Sequence, residues 1–238
     1  MVGAARKLEK VLVVSKADPS KIEKVLVGEG FRVVDMDPDF VVCFGGDGTV
    51  LFGERSFPGV PKLIVKTSRV CRKCDYTVDK LAGVLSRIRA GDYRLHGEMK
   101  LVAESKGVRL VGLNEIQVHI KLPISAVRFS VSVDGKEYND LIGDGVIVAT
   151  PFGSTGYYEA TGGERFERGI GVSFNNLHRR KVGSFVVSED SVVRLVVSRG
   201  PAWLLADNDR NFVELNGGDS AVVRKADGVA NFIVVSGV

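Results

Sequence analysis

Some of the carboxylates in this chain stand directly beside glycines, where a charged ligand can reach them. The first such stretch reads FGGDGTV and supplies Gly45, Gly46, Asp47, Gly48 and Thr49. Because glycine has no Cβ, a phosphate can approach the backbone here, and the N–H groups that start a following helix favour an anion. A carboxylate beside phosphates suits Mg²⁺ binding or acceptance of a proton from an attacking hydroxyl. Taken alone, the stretch is equally typical of a tight turn.

A second stretch, GDGVIVATPFGSTGYY, covers residues 143–158. It places Asp144 between glycines, then a strand, then a loop in which Ser154 and Thr155 offer hydroxyl and backbone donors. Tyr157 adds a ring or a phenol. The alternative interpretation is another hairpin followed by a turn of small residues.

A third stretch, LNEI, places Asn114 and Glu115 inside an apolar run. Polar residues in such a run usually lie on the solvated face of a strand. A ligand-binding role therefore needs support from the other two stretches.

The first 92 residues or so alternate strands with helices. Apolar runs predict strands at 10–16, 31–35, 40–44 and 62–66. Helices are predicted over 18–30, with Asp18 as N-cap and Pro19 at the first helical position, and directly after the glycines. A third helix follows residue 77, with four apolar residues on one face: Leu81, Val84, Leu85 and Ile88. This alternation predicts a parallel, three-layer α/β unit.

From about residue 95 the pattern changes to short strands and tight turns. Hairpins are predicted around 105–107 and at Asp134-Gly135. Regular short strands predict an antiparallel β-sandwich. We therefore expect an α/β N-terminal domain at 1–94 and a β-sandwich C-terminal domain at 95–238, whose last segment is able to pack back on the first domain.

Composition narrows the function classes. The chain has 238 residues, 45% hydrophobic and 26% charged, as in ordinary globular proteins, and a small net charge of +4 that gives no argument for nucleic acid. No apolar run approaches the roughly 20 residues of a membrane helix. Three cysteines, an odd number, favour a reducing compartment, so we expect a cytoplasmic protein without a membrane partner.

The pair Cys71-x-x-Cys74 is half of a zinc motif, a redox pair or two inert thiols. No second pair of Cys or His stands at metal-ligand spacing, so no structural metal is predicted. The segment 66–73 carries four cations, Lys66, Arg69, Arg72 and Lys73, which form either a solvated basic loop or a contact to an anionic ligand.

Together, GGDGT, LNEI and GDGVIVATPFGSTGYYEATGG resemble, in order and spacing, the NAD kinase family, in its prokaryotic forms. The resemblance is strong over about 40–52 and 98–163 and weaker towards the C-terminus. GGDGT alone also occurs in lipid kinases, so the second block makes the resemblance specific. It implies an α/β domain, an antiparallel sandwich, and phosphorylation of the adenosine-ribose 2′-hydroxyl of NAD to give NADP.

The resemblance also implies roles for single residues. Asp47 is expected to be the catalytic carboxylate, and Gly45, Gly46, Gly48 and Thr49 to cradle the donor phosphates. The acceptor would be bound by Asn114, Glu115, Asp144, Ser154, Thr155 and Tyr157. The implied donor is ATP or polyphosphate with Mg²⁺ or another divalent cation, and the implied assembly is a homodimer or homotetramer.

This chain departs from the family pattern at several positions. The segment 63–81 lacks the family's asparagine and Gly-Phe-Leu loop, and Asp207 is followed by asparagine where the family has glycine. Phe152 and Gly156 replace a usual threonine and alanine. Two alternatives therefore stay open: a kinase of the same fold that acts on another hydroxyl (a sugar, polyol or nucleoside), and a nucleotide sensor without catalysis.

Overall fold

The computed structural model describes residues 7–66, 76–180 and 182–237, which form two compact units. Unit 1 comprises residues up to 98 together with those from 230 onwards, and unit 2 comprises Met99–Val229. The interpretations of Cys71, Cys74 and most of the basic segment 66–73 lie outside the described residues.

Unit 1 contains strands and helices in alternation. They are β1 (Lys10–Ser15), α1 (Ser20–Gly28), β2 (Arg32–Val33), β3 (Phe40–Gly45), α2 (Asp47–Ser56), β4 (Lys62–Lys66) and α3 (Leu81–Arg89). Strand β5 (Arg94–Ser105) begins in unit 1 and continues into unit 2, and β16 (Ser220–Val234) makes the return passage.

The sheet of unit 1 is parallel, in the order β2-β1-β3-β4, with Phe232 of β16 paired to Lys62 on β4. Helices α1 and α3 bury apolar faces against Val42 and its neighbours, and in α3 this face includes Leu81 and Leu85, as the spacing predicted. Helix α2 packs on the opposite face, where Gly53 lies against Cys43. The predicted three-layer arrangement is therefore observed.

Helix α1 begins slightly later than predicted. Pro19, not Asp18, is its N-cap residue. The Asp18 carboxylate accepts hydrogen bonds from the Ser20 N–H at 3.0 Å and the Ser20 hydroxyl at 2.5 Å, which closes a small turn just before the helix. The predicted cap position was therefore wrong by one residue.

Unit 2 is made almost entirely of strands. After β5 come β6 (Val108–Gly112), β7 (Glu115–Ile120), β8 (Val127–Val133), β9 (Lys136–Gly143), β10 (Gly145–Ala149), α4 (Tyr157–Ala160), β11 (Ile170–Asn175), β12 (Phe185–Val187), β13 (Val193–Arg199), β14 (Ala202–Ala206), β15 (Phe212–Leu215) and β16. Short 3-10 segments occupy Phe152–Thr155 and His178–Arg180.

Two antiparallel layers enclose the core of unit 2. One holds β9-β8-β13-β16 with the β5–β6 hairpin, and the other has the order β12-β11-β10-β7-β14-β15. Apolar residues from both, such as Phe129 on β8 and Val118 on β7, share one core. Both predicted hairpins are present, and Asp134 and Gly135 have φ of 49° and 86°, as a two-residue hairpin turn requires.

Within the described ranges, no helix has the length and apolar character needed to span a membrane.

Candidate active site

The glycine-rich stretch joins a buried strand to a helix. Strand β3 ends at Gly45, Gly46 is the extended N-cap residue of α2, and Asp47 is the first residue of that helix. The Gly46 carbonyl accepts the first helical hydrogen bond from the Thr49 N–H at 2.9 Å. We call residues 45–49 the glycine loop. Asp47 therefore lies at the positive end of the α2 dipole, at the carboxyl edge of a parallel sheet.

The packing of the glycine loop explains one of its glycines. A Cβ on Gly45 would lie 2.2 Å from Thr49 Oγ1, so any side chain there would displace the first turn of α2. A Cβ on Gly46 would meet no atom of the described residues within 4 Å. Gly45 is therefore required by the protein itself, whereas no described residue packs against the backbone at Gly46.

A buried ion pair holds the far half of α2. Lys62, at the start of β4, and Glu54 on α2 form a salt bridge and have side-chain exposures of 0% and 5%. The Lys62 ammonium also donates to the Phe57 carbonyl at 2.6 Å. This pair cannot be recognised in the sequence, because Lys62 looks like the edge of the strand KLIVK and Glu54 like an exposed helical residue.

Cys43 lies beside that ion pair, fully buried in β3. Burial raises the pKa of its thiol to about 12, so the thiol is protonated at neutral pH. Among the described residues, no group of three or more His, Cys, Asp and Glu side chains is arranged to hold a metal ion.

Asn114 and Glu115 lie at the start of β7, in a turn held by a distant carboxylate. We call Leu113–Glu115 the Asn-Glu turn. Asp207, directly after β14, accepts the Leu113 N–H on Oδ2 at 2.7 Å, and on Oδ1 the N–H groups of Asn114 at 2.8 Å and Glu115 at 3.0 Å. The Asp207 N–H in turn donates to the Glu115 carbonyl at 3.0 Å.

Thr150 fixes the other side of the Asn-Glu turn. Its hydroxyl lies 2.6 Å from the Leu113 carbonyl oxygen, and its N–H donates to the Asn114 carbonyl at 2.8 Å. Gly153 packs so closely on this turn that a Cβ would lie 2.0 Å from the Asn114 carbonyl oxygen. The segment 150–156 and the Asn-Glu turn therefore form one rigid piece.

Four of the six predicted acceptor residues lie in this piece, namely Asn114, Glu115, Ser154 and Thr155, and Tyr157 follows it directly. Ser154 is buried, and its hydroxyl donates to the Pro151 carbonyl at 2.7 Å. A Cβ on Gly156 would lie 3.5 Å from Glu115 Oε2 and 3.8 Å from Asn114 Nδ2, so this glycine faces both polar side chains.

Tyr157 and Tyr158 have opposite environments. Tyr157, the predicted ligand residue, begins α4 and is 61% exposed. Tyr158 is buried with its ring edge-on to Phe166, with centroids 5.2 Å apart. The first tyrosine is therefore the accessible one.

Asp144 is separated from the Asn-Glu turn within unit 2. Strands β7 and β10 are antiparallel, with Ala149 opposite Glu115 and Gly145 opposite His119. Asp144 therefore lies about 16 Å along the strand from Glu115. Its carboxylate accepts a hydrogen bond from Asn176 Nδ2 at 2.7 Å.

The glycines around Asp144 have a structural explanation. A Cβ on Gly145 would lie 1.8 Å from the Val118 carbonyl oxygen, and its φ is +147°. A Cβ on Gly143 would lie 2.9 Å from the Asn175 carbonyl oxygen. The approach of neighbouring strands requires these glycines, whatever Asp144 does.

Comparisons with known proteins decide the family. Residues 113–235, just over half of the chain, match the family described as the ATP-NAD kinase C-terminal domain. This chain belongs to the NAD kinase family. The NAD kinase of Koribacter versatilis is 32% identical over 213 residues, which cover 84% of this chain and 74% of that protein.

Solved structures of NAD kinases share the fold. The yeast NADH kinase complexed with NADH has a TM-score of 0.87 at 16% identity, and covers 97% of this chain and 84% of its own. The Archaeoglobus fulgidus NAD kinase in complex with ATP has a TM-score of 0.81 at 23% identity. The match covers 96% of this chain and 94% of the archaeal one. The predicted family, fold class and function as an NAD kinase, a phosphotransferase, are confirmed.

Proposed function

We propose that this chain transfers the γ-phosphoryl group of ATP to the adenosine-ribose 2′-hydroxyl of NAD, with Asp47 as the catalytic carboxylate. Asp47 accepts the hydroxyl proton, the hydroxyl oxygen bonds to the γ-phosphorus, and the bond to the bridging oxygen breaks, releasing ADP and NADP. The observation that carries the proposal is the position of Asp47 in the first turn of α2, directly after β3 and between glycines.

The glycine loop is the proposed donor site. Gly45, Gly46, Gly48 and Thr49 would cradle the donor phosphates, supported by the lack of any described residue packed on the Gly46 backbone and by the favourable end of the α2 dipole. Polyphosphate presents the same phosphate chemistry and is the alternative donor.

A divalent cation fits this donor site only together with the phosphates. No cluster of three carboxylate, His or Cys ligands occurs in the described ranges, and Mg²⁺ in such sites usually has one or two carboxylates plus substrate oxygens. Asp47 is the residue proposed to hold it, and a bound Mg²⁺ would neutralise charge on the phosphates. Positioning and charge neutralisation supply most of the catalysis in phosphoryl transfer.

The Asn-Glu turn and its partner segment are the proposed acceptor site. Asn114 and Glu115 would hold the hydroxyls or adenine of NAD, while Ser154, Thr155 and Tyr157 would line the adenosine pocket. Asp144 is proposed to lie near a ribose. The division proposed from sequence assigns donor binding to 1–94 and acceptor binding to 95–238.

We further propose a cytoplasmic homodimer or homotetramer with no nucleic-acid or membrane partner. The proposed assembly is the one that the family resemblance implies; the two edge strands β12 and β15 each expose one apolar side chain, Val186 (43%) and Phe212 (51%). Sedimentation velocity at micromolar concentration tests this assembly, and a monomer at all concentrations would contradict it.

The activity test uses purified protein with ATP, Mg²⁺ and NAD, and NADP is measured with a coupled dehydrogenase. Asp47→Asn should lower kcat by a factor of about 10² to 10⁴, the usual contribution of general base catalysis. Asp18→Asn, an exposed carboxylate at the start of α1, is the matched control and should retain full activity. Polyphosphate replaces ATP in a parallel assay.

Two outcomes would contradict the proposal. Release of ADP with a sugar, polyol or nucleoside but no NADP from NAD would identify another acceptor. Tight nucleotide binding without any product would identify a sensor.

A further inference from the structure

We propose that Asp207 is a positioning residue that fixes the Asn-Glu turn for acceptor binding, an inference that rests on the proposed function. Asp207 stands 92 to 94 residues further along the chain than the groups it binds. No ligand contact is assigned to it. Its effect on the reaction would pass through Asn114 and Glu115.

One carboxylate satisfies three consecutive backbone N–H groups. Both oxygens of Asp207 take part, at 2.7 Å from the Leu113 nitrogen and 2.8 and 3.0 Å from the next two. Hydrogen bonds to an ionised acceptor are about twice as strong as neutral ones. A turn that carries two polar side chains is therefore fixed by a single charged group.

The backbone conformation of Asp207 brings its carboxylate to the Asn-Glu turn. It continues the β7–β14 ladder, in which Ala206 is opposite Ile116, and then turns with φ of +49°. Aspartate is one of the few residues other than glycine that adopt this left-handed conformation readily. The turn leaves the strand at the level of Glu115, and the carboxylate meets the Asn-Glu turn there.

The polar backbone groups of the Asn-Glu turn divide between two residues. Asp207 binds all three N–H groups and donates to the Glu115 carbonyl, while Thr150 binds the carbonyls of Leu113 and Asn114. Since Gly153 rests on the Asn114 backbone, loss of Asp207 would also loosen the segment that carries Ser154 and Thr155. The expected result is weaker NAD binding with unchanged ATP binding.

The test compares two substitutions of Asp207. Asp207→Asn keeps one oxygen as acceptor and places an NH₂ group opposite a backbone N–H, whereas Asp207→Ala removes all three hydrogen bonds. We expect the KM for NAD to rise about tenfold in the first variant and about 100-fold in the second, because small misplacements in a site can cost a factor of about 10². The KM for ATP should stay within about twofold.

Asp134→Asn is the matched control. Asp134 also has φ of +49° and also accepts a backbone N–H from a distant segment, that of Val192 at 3.1 Å, but it lies at the turn between β8 and β9, outside the Asn-Glu turn and the segment 150–156. Its KM for NAD should equal that of the wild type. Hydrogen exchange at the amides of 113–115 should accelerate in both Asp207 variants and not in Asp134→Asn.

Several results would overturn the inference. A KM for NAD in Asp207→Asn within twofold of the Asp134→Asn value would do so, as would a parallel rise of the KM for ATP. If Asp207→Ala does not fold, Asp207→Asn decides alone.

A failure of the proposed function can be distinguished from a failure of the inference about Asp207. Wild-type protein that binds NAD in calorimetry but forms no NADP contradicts the proposed activity alone, and NAD titration of the variants still decides the role of Asp207. Wild-type protein that binds no NAD overturns both.

Discussion

The glycine loop and the Asn-Glu turn achieve rigidity in different ways. The glycine loop is held by residues that are close in sequence, since Gly45 and Thr49 are in contact and Gly46 starts the helix that carries Asp47. In the Asn-Glu turn, the fixing groups come from Thr150 and Asp207, 36 and 93 residues from Asn114. A local sequence motif can specify the first region, whereas the second depends on the assembled sandwich. Substitutions can separate the two cases.

The largest expected effect concerns the anchor of α2. Lys62→Met leaves the buried Glu54 carboxylate without its ammonium partner, which should lower the free energy of unfolding by about 3–5 kcal/mol. The double variant Lys62→Met/Glu54→Gln removes the charge and should recover more than half of that loss. Urea unfolding measures both.

The exposed pair Lys121–Glu214 supplies the control. Its atoms are 2.6 Å apart but 33% and 41% of the two side chains are exposed, so Lys121→Met should cost less than about 1 kcal/mol. An equally small loss in Lys62→Met would show that the charge pair does not anchor α2.

The next prediction compares two glycines of the glycine loop, Gly45, which is required by protein packing, and Gly46, which is proposed to allow a phosphate to approach. Gly45→Ala places a Cβ 2.2 Å from Thr49 Oγ1, so it should lower kcat about 100-fold and also lower stability by about 1–3 kcal/mol. Gly46→Ala places a Cβ within 4 Å of no atom in the described part of the chain, and it should leave stability unchanged while raising the KM for ATP. Steady-state kinetics and thermal unfolding on the same preparations measure this. A Gly46→Ala variant with wild-type ATP kinetics would exclude close phosphate approach at that position.

The difference between the glycine loop and the Asn-Glu turn determines which features can be predicted from the sequence. Glycines, an apolar run and a helical pattern are local signals, so the glycine loop and the start of α2 near Asp47 were predictable. From the sequence, Asp207 stood out only because asparagine follows it where the family has glycine. Its role could not be predicted, because neither segment indicates that β14 pairs with β7. The signal available was an aspartate at the end of a strand, a residue type that accepts a left-handed turn.

Asp144 illustrates the same limit. Its glycine neighbours resemble those of Asp47, yet they serve the close approach of Val118 and Asn175. Only the antiparallel register of β7 and β10 shows that Asp144 and Glu115 lie at opposite ends of a strand. Its proposed contact to a ribose stays a prediction.

The smallest effect concerns the space in front of the Asn-Glu turn. Gly156 has a negative φ of −96°, and a Cβ there would lie 3.5 Å from Glu115 Oε2 and 3.2 Å from the Gly153 carbonyl oxygen. Gly156→Ala should raise the KM for NAD about threefold to fivefold, the equivalent of about 1 kcal/mol or less, without changing the KM for ATP. Gly228→Ala, where a Cβ meets no atom of the described ranges within 4 Å, is the control and should be neutral. An unchanged KM for NAD in Gly156→Ala would place the acceptor away from this glycine.

The central claim is that Asp47 performs chemistry while a separate rigid turn binds the acceptor. Its most direct test is calorimetric titration of NAD into Asp47→Asn and wild-type protein, with NADP formation measured on the same samples. We expect an NAD dissociation constant for Asp47→Asn within about twofold of the wild type and NADP formation reduced at least about 100-fold. NAD binding lost together with activity, or activity retained without the Asp47 carboxylate, would contradict it.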